Sequence, residues 1–195
     1  MACVWAQQGL SVCVVDADRN RLATAYAARG MLPFEVVHVE AAAKATRHAQ
    51  VIITDGQASS HEDELKKISA GAYFVLLPTT PQARLVELTV ELSSILRQMD
   101  TMHAALLVKV DSRKQRLAQE ARQILEGFDV DVMHAEIPWL AAFEKAEVES
   151  VCVSNAVDDH GRADLRSMGG WAAYCQAAVQ IRERLSEATP DAISA

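Results

Sequence analysis

At 195 residues, 50% of them hydrophobic and 23% charged, the chain has the composition of an ordinary folded domain, which excludes intrinsic disorder. A net charge of −7 argues against a surface coated in positive charge, while leaving room for a local basic patch that binds nucleic acid. No apolar run approaches the roughly 18 residues of a membrane span, and the N-terminus lacks the basic-then-apolar pattern of a signal peptide; the expectation is a cytoplasmic protein.

Short apolar runs alternate with helical patterns along the chain. Residues 11–15 (SVCVV), 51–54 (VIIT), 73–77 (YFVLL) and 104–110 (AALLVKV) are continuous apolar runs that read as strands of a parallel sheet covered on both faces. Weaker strands are expected at 35–39, 130–134 and 151–153. In the helix over 81–99, Leu85, Leu88, Leu92, Ile95 and Met99 recur at three- and four-residue steps, and Pro81 suits the first turn. A second helix spans 112–127, capped by Ser112 and closed by Gly127; two more cover 139–149 and 167–185. The alternation predicts an α/β three-layer sandwich with a mostly parallel sheet and right-handed crossovers. One domain over 1–186 and a small, polar tail over 187–195 are expected. Cys3, Cys13, Cys152 and Cys175 form no C-x-x-C pair and read as buried reduced thiols rather than a disulfide framework or a zinc site. The histidines are scattered too; His61, near a strand-end aspartate, reads as a solvated residue at a helix start.

In such sheets function collects at the carboxyl ends of the strands. Asp16 and Asp18 follow the first strand, Asp55 the second strong run, Pro78-Thr79-Thr80-Pro81 the next, and Lys109-Val110-Asp111 the last. Carboxylates in this position are hard oxygen ligands suited to Mg²⁺ held together with a phosphate. Taken singly, each aspartate is an ordinary cap or turn residue. Two families share the pattern. In a receiver-like phosphoacceptor domain, Asp16/Asp18, Asp55, Thr79 or Thr80, and Lys109 could fill every role. Such a domain would end near residue 125, however, leaving 130–153 unexplained, and Val110 stands where a proline commonly follows the lysine.

The wider match resembles the ParA/MinD group of deviant P-loop ATPases. A-Q-Q-G-L-S-V-C-V-V-D-A-D (6–18) resembles the end of that group's first helix, its second strand and its Walker A′ motif, and 19–30 continues the likeness. V-I-I-T-D-G resembles Walker B, and L-L-P-T-T-P-Q-A-R-L-V-E-L and V-K-V-D-S-R-K the later strand-end segments. E-I-P-W-L-A-A-F-E-K-A (136–146) is similar to a further conserved element of the group. The likeness covers the chain to about Val153. It implies a P-loop NTPase-like fold and a nucleotide switch that binds ATP and Mg²⁺, forms a homodimer and binds DNA non-specifically. A ParB-like partner stimulates hydrolysis, and the cycle positions plasmids, chromosomes or other cargo, with the protein on the nucleoid when active. Carried over by motif, Asp16 and Asp18 are the catalytic pair, one holding the water shell of Mg²⁺ and the other placing the attacking water. Asp55, with Asp16, stands near the metal, and Lys109, Asp111, Ile137 and Pro138 lie around the adenine. Arg162, Arg166, Arg182 and Arg184 are the candidates for DNA contact, although a solvated helix face is the plainer account of them. The tail lacks a basic amphipathic helix for a membrane.

The likeness breaks at one place. No G-x-x-x-x-G-K-[ST] occurs in the sequence; with it go the backbone N–H cradle, the phosphate lysine and the strand before them. The carboxylates alone would repel ATP, so tight nucleotide binding by these residues is not expected. In the family the absent strand is central, beside the Walker B strand. Without it the neighbouring strands stand about 10 Å apart, twice the inter-strand spacing. The expected outcomes are a sheet closed up in a new order, another chain in the gap, or a gene product that starts upstream. The last, an N-terminally truncated chain, is the expectation, because A-C-V-W-A-Q-Q (2–8) reads like the second half of the family's first helix. Gly56-Gln57 also replace the usual residues after Walker B, and Pro138 stands where arginine is frequent. A non-enzymatic relic or partner-binding module is the alternative.

Overall fold

The computed structural model describes residues 1–56, 62–157, 160, 162 and 165–188. Its contacts divide into two compact units, Met1–Ala58 with Leu140–Ala172, and Ser59–Trp139 with Ala173–Ala195.

The first unit is built on a three-stranded sheet in the order β2-β1-β3. β1 (Val12–Asp16) is buried at all five positions, as its unbroken apolar run requires of a strand flanked on both sides. β2 (Glu35–His38) and β3 (Val51–Asp55) pair with it in parallel. Parallel neighbours need crossovers, and short helices supply them: α2 (Leu22–Ala27) between β1 and β2, and α3 (Ala42–Ala45) between β2 and β3. α1 (Ala2–Gln7) precedes β1 and buries Val4 and Trp5. A separate cluster of Ala142, Ala146, Val153 and Ala156, with Leu140, Phe143, Val151 and Trp171, packs α7 (Ala141–Glu149) against the segment that follows it.

The second unit carries a sheet in the order β4-β5-β6, again all parallel: β4 (Val75–Thr79), β5 (His103–Val110) and β6 (Val132–Pro138). β5 is central and its run Ala104–Leu107 is at most 2% exposed. α5 (Ala83–Gln98) buries Val86, Thr89, Leu92, Ser93 and Leu96, and α6 (Gln115–Gly127) buries Ala118, Ala121 and Leu125. Val86, the three α6 residues and Ala105, Leu107 and Val110 of β5 make one core, and Leu77, Leu92 and Leu96 with Leu65 of α4 (Glu62–Ser69) make a second. α8 (Leu165–Ala188) is divided between the units at Ala172/Ala173 and enters the expected tail by two residues; the rest of the tail lies outside the described residues.

The α/β class with parallel strands is therefore as expected. Three local expectations are corrected. The 51–54 run is a strand but is not covered on both faces: β3 has no buried position and Ile52 is 53% exposed. Residues 151–153 are not a strand: α7 ends on Ser150 in the left-handed region (φ 53°), which turns the chain, and Val153–Asn155 forms a 3-10 turn closed by Asn155 N–H donating to the Cys152 carbonyl. Cys3 and Cys152 are not free thiols but a disulfide with Cα atoms 5.8 Å apart, inside the usual range for such a bond; Cys13 and Cys175 remain free. These two cysteines stand 149 residues apart in sequence, so no local spacing announces the pair.

Among the described residues the strands form two separate three-stranded ladders, one in each unit.

Candidate functional site

The carboxyl ends of the first unit's strands bring three expected residues together. Asp16 ends β1, and the parallel register sets it opposite His38 on one side and Asp55 on the other. The level is locked where the Ala17 N–H donates to the Asp55 carbonyl at 2.9 Å. Asp18 lies two residues on, its carboxylate accepting from the Asn20 N–H at 2.9 Å as an ordinary turn aspartate does.

Asp16 is fully buried, so its charge must be held by hydrogen bonds. Its Oδ2 accepts from the Thr24 N–H at 2.8 Å and from the Thr24 hydroxyl at 2.6 Å, and its Oδ1 accepts from the Asp18 N–H at 3.2 Å. Burial by itself would raise this carboxyl's pKa. The Thr24 and Asp18 donors, with the nearby His38, outweigh that and leave it below the ordinary carboxylate value. Asp55 is shifted the other way: desolvation and then repulsion from Asp16 and Asp18 push its carboxyl up. A cation placed here would relieve that repulsion.

Thr24 is the residue the sequence reading passed over. It lies inside the quoted 19–30 stretch, but nothing in its spacing shows that α2 turns it back onto Asp16. That contact depends on Arg21, in the left-handed region at φ 51°, which redirects the chain into the helix.

The remaining candidates lie in the second unit, apart from Arg162 and Arg166, which belong to the first. Thr79 is 3% exposed and its hydroxyl reaches the Thr80 carbonyl, at 3.4 Å. The Thr80 Oγ1 is buried with no hydrogen-bond partner among the described residues. Lys109 sits at φ 55° in an irregularity of the β5–β6 ladder, with its side chain exposed. Asp111 caps the turn after β5, accepting from the Arg113 N–H at 3.0 Å and from the Arg113 guanidinium at 3.1 Å on each oxygen. Those Arg113 bonds hold its carboxyl below the usual range. Ile137 is buried in β6, and Pro138 is half-buried opposite Val110. Of the four arginines, Arg184 is already bound to Asp131, at 2.6 and 2.9 Å, and to the Gln180 carbonyl. Arg182 and Arg162 are exposed, while the side chain of Arg166 and all of His61 lie outside the described residues.

The donor set of the first unit fits a hard cation in part. Asp16 and Asp55 are oxygen donors at one level, yet both Asp16 oxygens already accept hydrogen bonds. Among the described residues no group of three or more His, Cys, Asp or Glu is disposed to hold a metal ion. A nucleotide's phosphates fit less well, because these strand ends present carboxylates and the sequence contains no glycine-rich phosphate cradle.

No family model and no curated protein matches this chain. Its fold is similar to a solved chain from the MinC:MinD cell division protein complex of Aquifex aeolicus, with a TM-score of 0.63 and 11% sequence identity over 92% of this chain and 86% of that one. At that identity the likeness is one of fold: α/β, with parallel sheets and flanking helices. Among the described residues no helix is long and apolar enough to cross a membrane.

Proposed function

We propose that this chain is the acidic, metal-facing part of a ParA-like nucleotide switch. The observation that carries the reading is the Asp16–Asp55 register pair, with Asp18, at the carboxyl ends of parallel strands in a fold like that of the MinC:MinD complex. In this reading Asp55 and Asp16 stand toward Mg²⁺, and Asp18 orients water. Lys109, Asp111, Ile137 and Pro138 border the base. Bound ATP and Mg²⁺ would supply the transferable phosphoryl group and neutralise its charge. The contribution of these residues is positioning and the acceptance of a water's proton. The partition role follows the same resemblance: homodimerisation with ATP, non-specific DNA binding and association with the nucleoid, and a ParB-like stimulating partner.

The phosphate cradle is not among these residues, so no tight ATP binding by this chain is expected. Calorimetric titration of Mg-ATP into the chain, and into a version carrying an apolar strand and K-G-G-x-G-K-T ahead of Met1, tests the proposal. Tight binding by the extended version only is expected; a folded extended version that ignores ATP refutes it.

A second reading, a partner-binding module that keeps the fold without the switch, is favoured by the full hydrogen-bonding of Asp16, whose carboxylate then serves to anchor α2. In that case Asp55→Asn in the extended version leaves nucleotide affinity unchanged. The receiver-like alternative is disfavoured by length: such a domain would end near residue 125, whereas β6 (Val132–Pro138) and α7 (Ala141–Glu149) follow. Labelling of Asp55 by a small phosphodonor would reinstate it.

A further inference from the structure

The Cys3–Cys152 disulfide closes a seam within the first unit, where the Gln7 side chain also donates to Ser154 Oγ at 2.8 Å. α1, which carries Cys3, has six residues and no side-chain N-cap. A helix that short does not hold itself in water and depends on tertiary ties. On the other side of the bond, the chain just before Cys152 is gripped by α2. The Tyr26 hydroxyl is shared between the carbonyls of Val151, at 2.8 Å, and Ala146, at 3.0 Å. The Arg29 guanidinium donates to the Glu147 and Val148 carbonyls and to Ser150 Oγ. The first turn of that six-residue helix, α2, carries Thr24, whose N–H and hydroxyl hold the Asp16 carboxylate. One short helix therefore touches the disulfide segment with Tyr26 and the buried aspartate with Thr24. The two cysteines also differ in burial: Cys152 is 2% exposed and Cys3 is half-buried.

We propose that Cys3–Cys152 is a reversible thiol–disulfide exchange site, entered at Cys3, whose oxidation state sets how firmly α2 holds Asp16. A small thiolate of the glutathione class attacks Cys3 Sγ. The S–S bond breaks with its electron pair on Cys152 Sγ, which leaves as thiolate and takes a proton from solvent. A second thiol then attacks the outer sulfur of the mixed disulfide, releasing the oxidised small-molecule disulfide and Cys3 as thiolate. Re-oxidation by that disulfide runs the same steps in reverse. In the reduced chain the 150–155 segment loses its covalent tie to α1, and α2 packs against a looser partner. The proposal concerns the environment of Asp16 and holds whether or not the site handles nucleotide.

The full chain is equilibrated with oxidised glutathione or with dithiothreitol. Free thiols are counted in denaturant, the bonded peptides are mapped by mass, and backbone amide exchange is followed. Oxidised chain shows two titratable thiols, from Cys13 and Cys175, and a peptide joining Cys3 to Cys152. Reduction speeds exchange of the Thr24 amide and of 150–155 by about tenfold or more, while β5 is unchanged. Oxidised glutathione modifies Cys3 in Cys152→Ser at least about ten times faster than it modifies Cys152 in Cys3→Ser. Four free thiols under oxidised glutathione, a different cysteine pairing, or a Thr24 amide indifferent to reduction overturns the proposal. The exchange comparison uses the unmutated chain, so it stands even if a serine variant fails to fold.

Discussion

Replacing Thr24 with valine tests the account of Asp16 most directly, because it keeps the β-branched shape and removes only the hydroxyl. In the folded protein that hydroxyl donates to Asp16 Oδ2 at 2.6 Å, and Asp16 has no exposure to water that could take its place. A hydrogen bond to a buried charge contributes about 1.5–3 kcal/mol. For a chain of this size that corresponds to a fall in melting temperature of about 3–12 °C. The penalty must depend on pH with a definite sign. The Asp16 carboxyl is held below its ordinary value in the folded state, so its stabilising effect is fully present above the unfolded pKa of about 3.9 and is lost as pH falls through the folded value. Thr24→Val therefore costs most at pH 6–7, and the gap to wild type narrows as pH drops below about 4. Urea unfolding from pH 3 to pH 7, followed by the fluorescence of Trp5, buried in the same unit, measures it. Thr24→Ser, which keeps the hydroxyl, should recover most of the loss. A Thr24→Val chain within about 0.5 kcal/mol of wild type at pH 7, or a penalty equal at pH 3 and pH 7, refutes the reasoning.

Asp55→Asn should raise the melting temperature at pH 7, since repulsion from Asp16 and Asp18 and partial desolvation disfavour its charge. This pKa is raised on folding, so the gain appears above the folded value, vanishes once pH falls below the unfolded one, and shrinks in 1 M salt; thermal melts at pH 3 and pH 7 check it. Arg184→Ala should lower stability by roughly 1 kcal/mol through loss of its paired bonds to half-exposed Asp131, whereas Arg182→Ala should not. If DNA binding is found, Arg182→Ala should weaken it in filter binding and Arg184→Ala should not, because Arg184 is committed to Asp131. Gly170→Ala should destabilise despite the better helix residue: its Cβ would lie 2.8 Å from the end of the Phe143 ring and 3.2 Å from Leu140 Cδ1. Overpacking of about 1–3 kcal/mol then exceeds a helix gain of about 1 kcal/mol, a difference readable in urea melts.

The sequence by itself determined the class of this protein and the level at which its chemistry-bearing residues stand. The apolar runs at 11–15, 51–54 and 104–110 all became strands, β1 and β5 with buried runs and β3 with none, and a strand's end fixes where the next aspartate goes. That is why Asp16 and Asp55 were legible as neighbours at one sheet edge before any coordinates. Three things were decided only by tertiary structure. The division of the strands into two three-stranded ladders, β2-β1-β3 and β4-β5-β6, depends on which backbone groups find partners, and a strand's own residues do not encode its neighbour. The disulfide joins cysteines 149 residues apart, a pairing that spacing cannot announce. The role of Thr24 rests on one left-handed residue, Arg21, that swings α2 back over the strand it has just left. Each is a long-range or conformational fact, whereas periodicity reports only what lies within a few residues along the chain.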